Sequence, residues 1–437
     1  MKDKITPSRI SVFVIIFLMT CVTANLNWGK DHWKEIILSD GKGYYAYLPA
    51  IFIYHDLNLG FFDKIEKQDY YNKFLYYDYR ANGNGKVIDK YFCGTALAEL
   101  PFFLTAHALS PLSGYRPDGY SNLYHILISI AALFYLLAGL VFLNAVLGGY
   151  NIREWEKSVV LFAAVFGTNL FYYTVREPSM SHVFSFAFIS IFVYCSRKFF
   201  ATFKTGWIPV LGLVLGVIFL IRPVNALALF FLPFAAGSAA TLRKGLTTAL
   251  GRPLPLIAGI LIFLGTASVQ FMIYKISTGK FLIDSYGDEG FNFLHPHIAD
   301  ILFSYKKGLF LYTPLYLLSL TGLYSLWKSS RFSVYAWSGF FILITYVFSS
   351  WWNWYYGGSF SSRVYVEFIP VFMILLAIAL HDTAGKFRKG ILVALVVLLT
   401  ILCQIQTYQY RYYQIHWSEM TKEKYWEVFL RIDKLIK

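Results

Sequence analysis

About eleven apolar runs recur along the chain, each close to the ~20 residues that a helix needs to cross a hydrocarbon layer. They lie near 9–26, 122–147, 157–174, 182–198, 207–222, 223–240, 254–274, 309–327, 333–350, 364–381 and 390–407. Backbone in lipid must satisfy its own hydrogen bonds, so runs of this length fold as helices. The expected fold class is all-α, a polytopic membrane protein of about 11 transmembrane helices. Of the 437 residues, 57% are hydrophobic and 15% charged. That composition excludes a soluble globular domain, a disordered chain and a fibrous repeat. Four cysteines make no disulfide framework and read as small buried hydrophobes.

The net charge of +14 raises the question of which membrane face carries the excess. With the N-terminus cytoplasmic, the short segments 1–9, 148–156, 199–206, 241–253, 328–332 and 382–389 share one side. With the boundary residues Lys157, Arg197 and Lys198 they hold 16 basic residues, among them Lys2, Lys4, Arg9, Arg243 and Lys389, against four acids. The short opposite loops carry Arg176, Arg222 and Arg363. This positive-inside pattern orients the chain and removes the need for a nucleic-acid partner. It also requires that 93–112, with Glu99, Pro101 and His107, does not cross; that segment reads as a juxtamembrane or re-entrant helix on the outer side. The first run reads as an uncleaved anchor rather than a signal peptide. The expected organisation is one transmembrane domain, 1–407, with outer loops 27–121 and 275–308. An outer-side amphipathic tail, 408–437, follows, with Tyr425, Trp426, Phe429, Leu430 and Ile432 on one face.

Polar residues gather on the outer side. Asp40 opens the stretch SDGKGYYAYLPA, and it reads either as a helix N-cap or as a carboxylate at the membrane surface able to act as base or metal ligand. Lys90 joins a charged turn to the interfacial helix, as a snorkelling side chain or a phosphate contact. Between two spans, Arg176, Glu177 and His182 fall within seven residues. Glu177 and His182 read as acid–base partners, or as part of an interfacial ion pair and a helix cap. Arg222 sits in a tight turn where it must reach the outer surface or a cavity. His295-Pro296-His297 can supply two metal ligands or simply a turn. Lys306 and Lys307 break the charge rule and so favour an anionic partner. In Trp351–Arg363, an aromatic belt is followed by Gly-Gly, serines and an arginine fork suited to phosphate.

Taken in order, these features resemble the integral-membrane glycosyltransferases of the C-type (GT-C) superfamily. That group includes protein O-mannosyltransferases, bacterial aminoarabinose–lipid A transferases and other bacterial relatives. The resemblance runs over nearly the whole chain as an order of features: first span, long outer loop with an early acid, juxtamembrane helices, further spans. Asp40 matches the early acid of the family, and DKYFCGTALAELPFF resembles a loop whose lysine, here Lys90, meets the carrier phosphate. KKGLFLYTPLYLLSLTGL and WWNWYYGGSFSSRVYVEFIPVF resemble segments of bacterial relatives. The adjacent Asp-Glu pair of the O-mannosyltransferases is replaced by a lone Asp.

The resemblance implies inverting transfer of a sugar from a polyprenyl-phosphate donor to a glycan, lipid or protein acceptor. The reaction would take place at the outer face of a bacterial inner membrane. Asp40 would be the catalytic base, assisted by Glu177 or His182, with a divalent metal at Asp40 left open. Lys90, Lys306, Lys307 and Arg363 would neutralise the donor phosphate. Tyr44, Tyr45, Trp352, Trp354 and Tyr356 would line the sugar and lipid. The competing classes are an O-antigen ligase or glycan polymerase, which would bind a pyrophosphate carrier with several outer arginines, and a transporter or flippase, which would want polar mid-span positions. Scarce outer arginines and charge confined to span ends favour the transferase.

Overall fold

A computed structural model describes residues 5–435 of the chain. Lys2 and Lys4, counted above toward the orientation, lie outside the described residues. Among those described, seven helices are long and apolar enough to cross a membrane: Pro7–Asn27, Asn122–Gly148, Ser181–Thr202, Pro253–Thr278, Arg331–Ser349, Arg363–Asp382 and Lys386–Arg411. The chain is thus a mostly helical polytopic membrane protein. The other expected runs fold differently. The run near 157–174 divides into Glu154–Phe166 and Leu170–Val175, where the Thr168 hydroxyl turns back onto the Ala164 carbonyl at 2.6 Å. Trp207–Ile221 is a single short apolar helix. Residues Pro223–Ala236 and Ala239–Leu250 meet at 120°. The 309–327 run breaks at Thr313-Pro314, where proline has no N–H to continue the ladder.

Arg363–Asp382 is buried along nearly its whole length and forms the centre of the bundle. Pro253–Thr278 and Lys386–Arg411 instead expose rows of leucine, isoleucine and valine, as lipid-facing helices do. Glycines set close approaches where helices cross. Gly212 abuts Gly259, and Gly139 receives the ring of Phe186.

The long loop between the first two spans has a core of its own. Tyr44, Tyr45, Tyr47, Phe62, Tyr79, Tyr91, Phe103, Tyr120 and Tyr124 pack together, so many of the chain's aromatics belong to this loop rather than to a membrane belt. The loop carries helices Asp40–Phe52 and Gly94–Leu109 and a hairpin that the all-α expectation lacks, Arg80–Gly83 with Lys86–Asp89. Asn84 and Gly85 take positive φ at its turn, the signature of an Asn-Gly hairpin. Gly94–Leu109 has 16 residues and packs on Asn122–Gly148 and Trp207–Ile221. The tail helix Lys422–Val428 docks on the second long loop through Tyr425, whose ring meets Tyr305 and Tyr312.

Candidate active site

The helix Asp40–Phe52 starts at Ser39, whose side chain makes no capping hydrogen bond. Asp40 is the first helical residue, and its carboxylate also caps nothing. It turns instead into a cavity of about 660 Å³. Gly41 and Gly43 make this placement feasible: a Cβ on Gly41 would collide with Ser179, and one on Gly43 with the Tyr91 ring. Two lining residues, Ser39 and Tyr356, hold φ near +47° and +55°, a costly conformation outside glycine that recurs at functional sites.

Both oxygens of Asp40 are engaged. Tyr91 donates its hydroxyl to Oδ1 at 2.7 Å, and Arg363 donates from Nη2 to Oδ2 at 2.8 Å. Tyr77 shares a hydrogen bond with the Tyr91 hydroxyl at 2.6 Å. Burial by itself would raise the Asp40 carboxyl. The adjacent Arg363 charge and the hydrogen bonds from Tyr91, Arg363 and Tyr77 outweigh it, so the group lies below the ordinary carboxylate range and is ionised at neutral pH. Arg363 keeps donors in reserve: among the described residues its Nε has no partner.

A second arginine enters from the bend after Trp207–Ile221. Arg222 lines the cavity and donates from Nη1 to Glu367 at 2.8 Å. Glu367 is 0% exposed and also bonds His182 Nδ1 at 3.0 Å. Lys90, carried in by the hairpin, closes the opposite side. Its Nζ meets Glu289 at 2.5 Å and lies 5.2 Å from the Tyr286 ring, tying the first long loop to the second. Phe92, Ile221, Val224, Phe291 and Trp351 give the cavity an apolar stretch of wall, and Asp284 and Asn353 also line it.

The structure brings together Asp40, Tyr44, Lys90, Trp352, Tyr356 and Arg363 as lining residues. Tyr45, about 100° further round the same helix, faces the loop core and donates its hydroxyl to the Gly119 carbonyl. Trp354 stacks on His297. Lys306 Nζ sits 3.4 Å over the Tyr355 ring. His182 is 1% exposed beneath the cavity floor. Glu177 and Lys307 stand behind Arg363. Glu177 accepts from the Tyr172 hydroxyl at 3.1 Å, and Lys307 donates to the Ser359 carbonyl. Burial pushes Glu177 up to about 7 against the pull of Arg363 and Tyr172. Burial, with the Arg363 charge, brings Lys307 down to about 7.

Glu367, Tyr77, Tyr91 and Glu289 were not singled out from the sequence. For Glu367 a signal existed, a lone acid within an apolar run. Metal fits poorly here. Asp40 is taken up by Tyr91 and Arg363, His297 pairs with Asp300 at 2.9 Å, and no three His, Cys, Asp or Glu side chains among the described residues gather into a metal-holding set.

The fold and cavity together define a polytopic membrane protein with a polar cleft at the face that carries its long loops. No family model and no curated protein matches the chain. Among solved structures it is similar to an oligosaccharyltransferase of Archaeoglobus fulgidus in complex with zinc and sulfate, at 10% identity and TM-score 0.47, over 96% of this chain and 54% of that one. It is likewise similar to the archaeal oligosaccharyltransferase AglB of that organism in complex with an inhibitory peptide and a dolichol-phosphate, at 10% identity and TM-score 0.46, over 96% and 57%. The chain spans a little over half the length of these proteins.

Proposed function

We propose that the protein is a membrane glycosyltransferase that moves a sugar from a polyprenyl-phosphate donor to an acceptor hydroxyl. The observation that carries this reading is the pairing of Asp40 with Arg363 in a cavity with an apolar stretch of wall. An ionised carboxylate can accept a proton from the acceptor. Arg363 holds Asp40 through Nη2, and guanidinium has five N–H donors, so it can meet a phosphate while still holding Asp40.

In the proposed step, the acceptor oxygen bonds to the anomeric carbon as the bond from that carbon to the phosphate oxygen breaks. The acceptor proton passes to Asp40. The departing lipid phosphate takes the electron pair and gains one negative charge, which Arg363, Arg222 and Lys90 offset. When phosphate draws Arg363 toward itself, Asp40 loses part of its clamp and becomes a better base. Charge balance favours a monophosphate carrier over a pyrophosphate: Arg363, Arg222 and Lys90 each already face a carboxylate, Asp40, Glu367 and Glu289. The prenyl chain would lie along Phe92, Ile221 and Val224. Glu177 and Lys307 act through Arg363, and His182 acts through Glu367 and Arg222. No step runs through a metal.

The long-loop face would be the outer side of a bacterial inner membrane, with the basic short segments in the cytoplasm. The broken and short apolar runs would bring the number of crossings to about eleven. The test is turnover of polyprenyl-phosphate-linked sugars by the full chain in nanodiscs. The wild type should consume the lipid donor and Asp40→Asn should not; full activity in that variant would sink the assignment.

A further inference from the structure

The last span, Lys386–Arg411, leads into a tail that folds back onto the active-site face. Tyr413 takes φ +58°, and the N–H groups of Gln414 and Ile415 both donate to the Gln409 carbonyl, at 2.9 and 3.2 Å. Ile415 and Met420 are buried at the two ends of the turn that follows. Beyond it, the tail helix is held by Trp426, whose indole N–H donates to the Tyr305 hydroxyl at 3.2 Å. Within the turn, His416 Nδ1 accepts the backbone N–H groups of Ser418 and Glu419, at 3.2 and 2.9 Å. An imidazole that accepts at one nitrogen is neutral. Trp417 is therefore presented by a fixed turn between two buried anchors, yet it is 46% exposed.

The indole stands at the mouth of the Asp40 cavity. Gly358 lines that cavity, and a Cβ built on Gly358 would meet the Trp417 ring at 3.6 Å, so the ring packs on the lip where no side chain intervenes. Trp417 itself is not a lining residue. A second indole, Trp352, does line the cavity and is 54% exposed, which marks its open side. Among the described residues neither indole N–H has a hydrogen-bond partner. The polar groups beside them are the Asn353 amide, the Ser418 hydroxyl, the Gly357-Gly358 backbone and neutral His416, none of which carries a charge. Open aromatic faces with N–H donors and neutral polar groups match the apolar C–H face and hydroxyl rim of a neutral sugar ring. The donor sugar belongs inside, at Asp40 and Arg363, so a ring at the lip belongs to the other substrate. We infer that Trp417, with Trp352, stacks against a sugar residue of the acceptor, which is therefore a saccharide.

This inference rests on the glycosyltransferase reading, and its test separates the two. The full chain is labelled with fluorotryptophan and placed in nanodiscs. Fluorine NMR follows the Trp417 and Trp352 resonances, assigned by their loss in Trp417→Tyr and Trp352→Tyr. The probes are methyl glycosides of glucose, galactose, mannose and N-acetylglucosamine, a serine-containing peptide, and spin-labelled phosphatidylcholine in the disc. At least one glycoside should shift both resonances. Read on Trp352, Trp417→Ala should weaken that glycoside tenfold or more, and Trp417→Tyr should hold it within threefold of the wild type. The dispersion of the other tryptophan resonances shows that both variants fold. A Trp417 resonance that only the spin-labelled lipid broadens makes the indole a membrane-belt residue and overturns the inference. A shift by the peptide and by no glycoside, or equal glycoside affinity in Trp417→Ala, overturns it as well. Consumption of the polyprenyl-phosphate sugar by the wild type is measured in parallel. Donor consumption without glycoside binding overturns the acceptor site alone. Glycoside binding without donor consumption overturns the transferase reading, and with it the role of the bound sugar as acceptor.

Discussion

Arg363 donates from Nη2 to Oδ2 of Asp40 at 2.8 Å, across 323 positions of sequence. The contact joins the first helix of the long loop to the start of the most buried span. Removing the arginine leaves a carboxylate without its counter-charge, which for buried pairs costs about 3–5 kcal/mol. Arg363→Ala should therefore lower the unfolding temperature and raise the donor KM at least tenfold. Arg363→Lys should recover part of the stability but little donor affinity, because a point charge cannot span Asp40 and a phosphate as a fork does. Donor titration and thermal unfolding of both variants check this.

Asp40→Asn should lower transfer by about 10²- to 10⁴-fold, the usual contribution of a general base, while the protein still inserts and elutes as a folded species. The Asp40 carboxyl is held below the ordinary carboxylate range, so its contribution to stability is present above that range and lost as pH falls through the depressed value. The acid limb of the activity profile should accordingly lie below pH ~4 in the wild type. It should shift upward in Arg363→Ala, and a pH–rate series on the two proteins decides the point.

Glu177 carries the opposite sign. Its folded value, raised to about 7, means the native state holds a proton that the unfolded chain has already lost. Its contribution is complete below the ordinary glutamate range and disappears as pH rises through 7. Lys307, lowered to about 7, contributes above its ordinary range and loses that contribution as pH falls toward 7. Between pH 5 and 7 Glu177 thus contributes a fall in stability, and Glu177→Gln should remove that contribution, which the difference between the two proteins reads. Melting curves at pH 5, 6 and 7 give the comparison.

His182 and Glu367 together hold Arg222 at the cavity wall. His182→Asn should reduce transfer by less than tenfold and leave the shape of the pH–rate profile unchanged. A loss of about 10²-fold or more with an altered profile would return His182 to acid–base work. Glu367→Gln should raise the donor KM more than it lowers kcat, because Arg222 is released rather than removed.

Part of the candidate site was legible in local pattern: Asp40 at the head of SDGKGYYAYLPA, Lys90 in a charged turn, Arg363 after Gly-Gly and serines, and Arg222 in a tight turn. The cost of polar groups at membrane depth pointed instead to Glu177 and His182, which do not line the cavity. Glu367 was hidden in an apolar run. Tyr77 and Tyr91 were lost among the 34 tyrosines of the chain. The hairpin's Asn-Gly turn was present in the sequence, but short strands in a charged loop give a weak period. Tyr45 and Trp354 differ from Tyr44 and Trp352 by the face they present, which one residue of helical or turn geometry decides.

The sequence by itself determined that this is a helical membrane protein. Apolar runs of spanning length leave the backbone no other way to satisfy its hydrogen bonds in lipid. Only the tertiary structure decided which charges meet. Asp40 with Arg363, Lys90 with Glu289, and His182 with Glu367 and Arg222 are pairings across about 150 residues or more. Local periodicity carries no information about such partners. They are set by how the spans pack around Arg363–Asp382 and by the glycines that let Asp40–Phe52 settle against Ser179 and Tyr91.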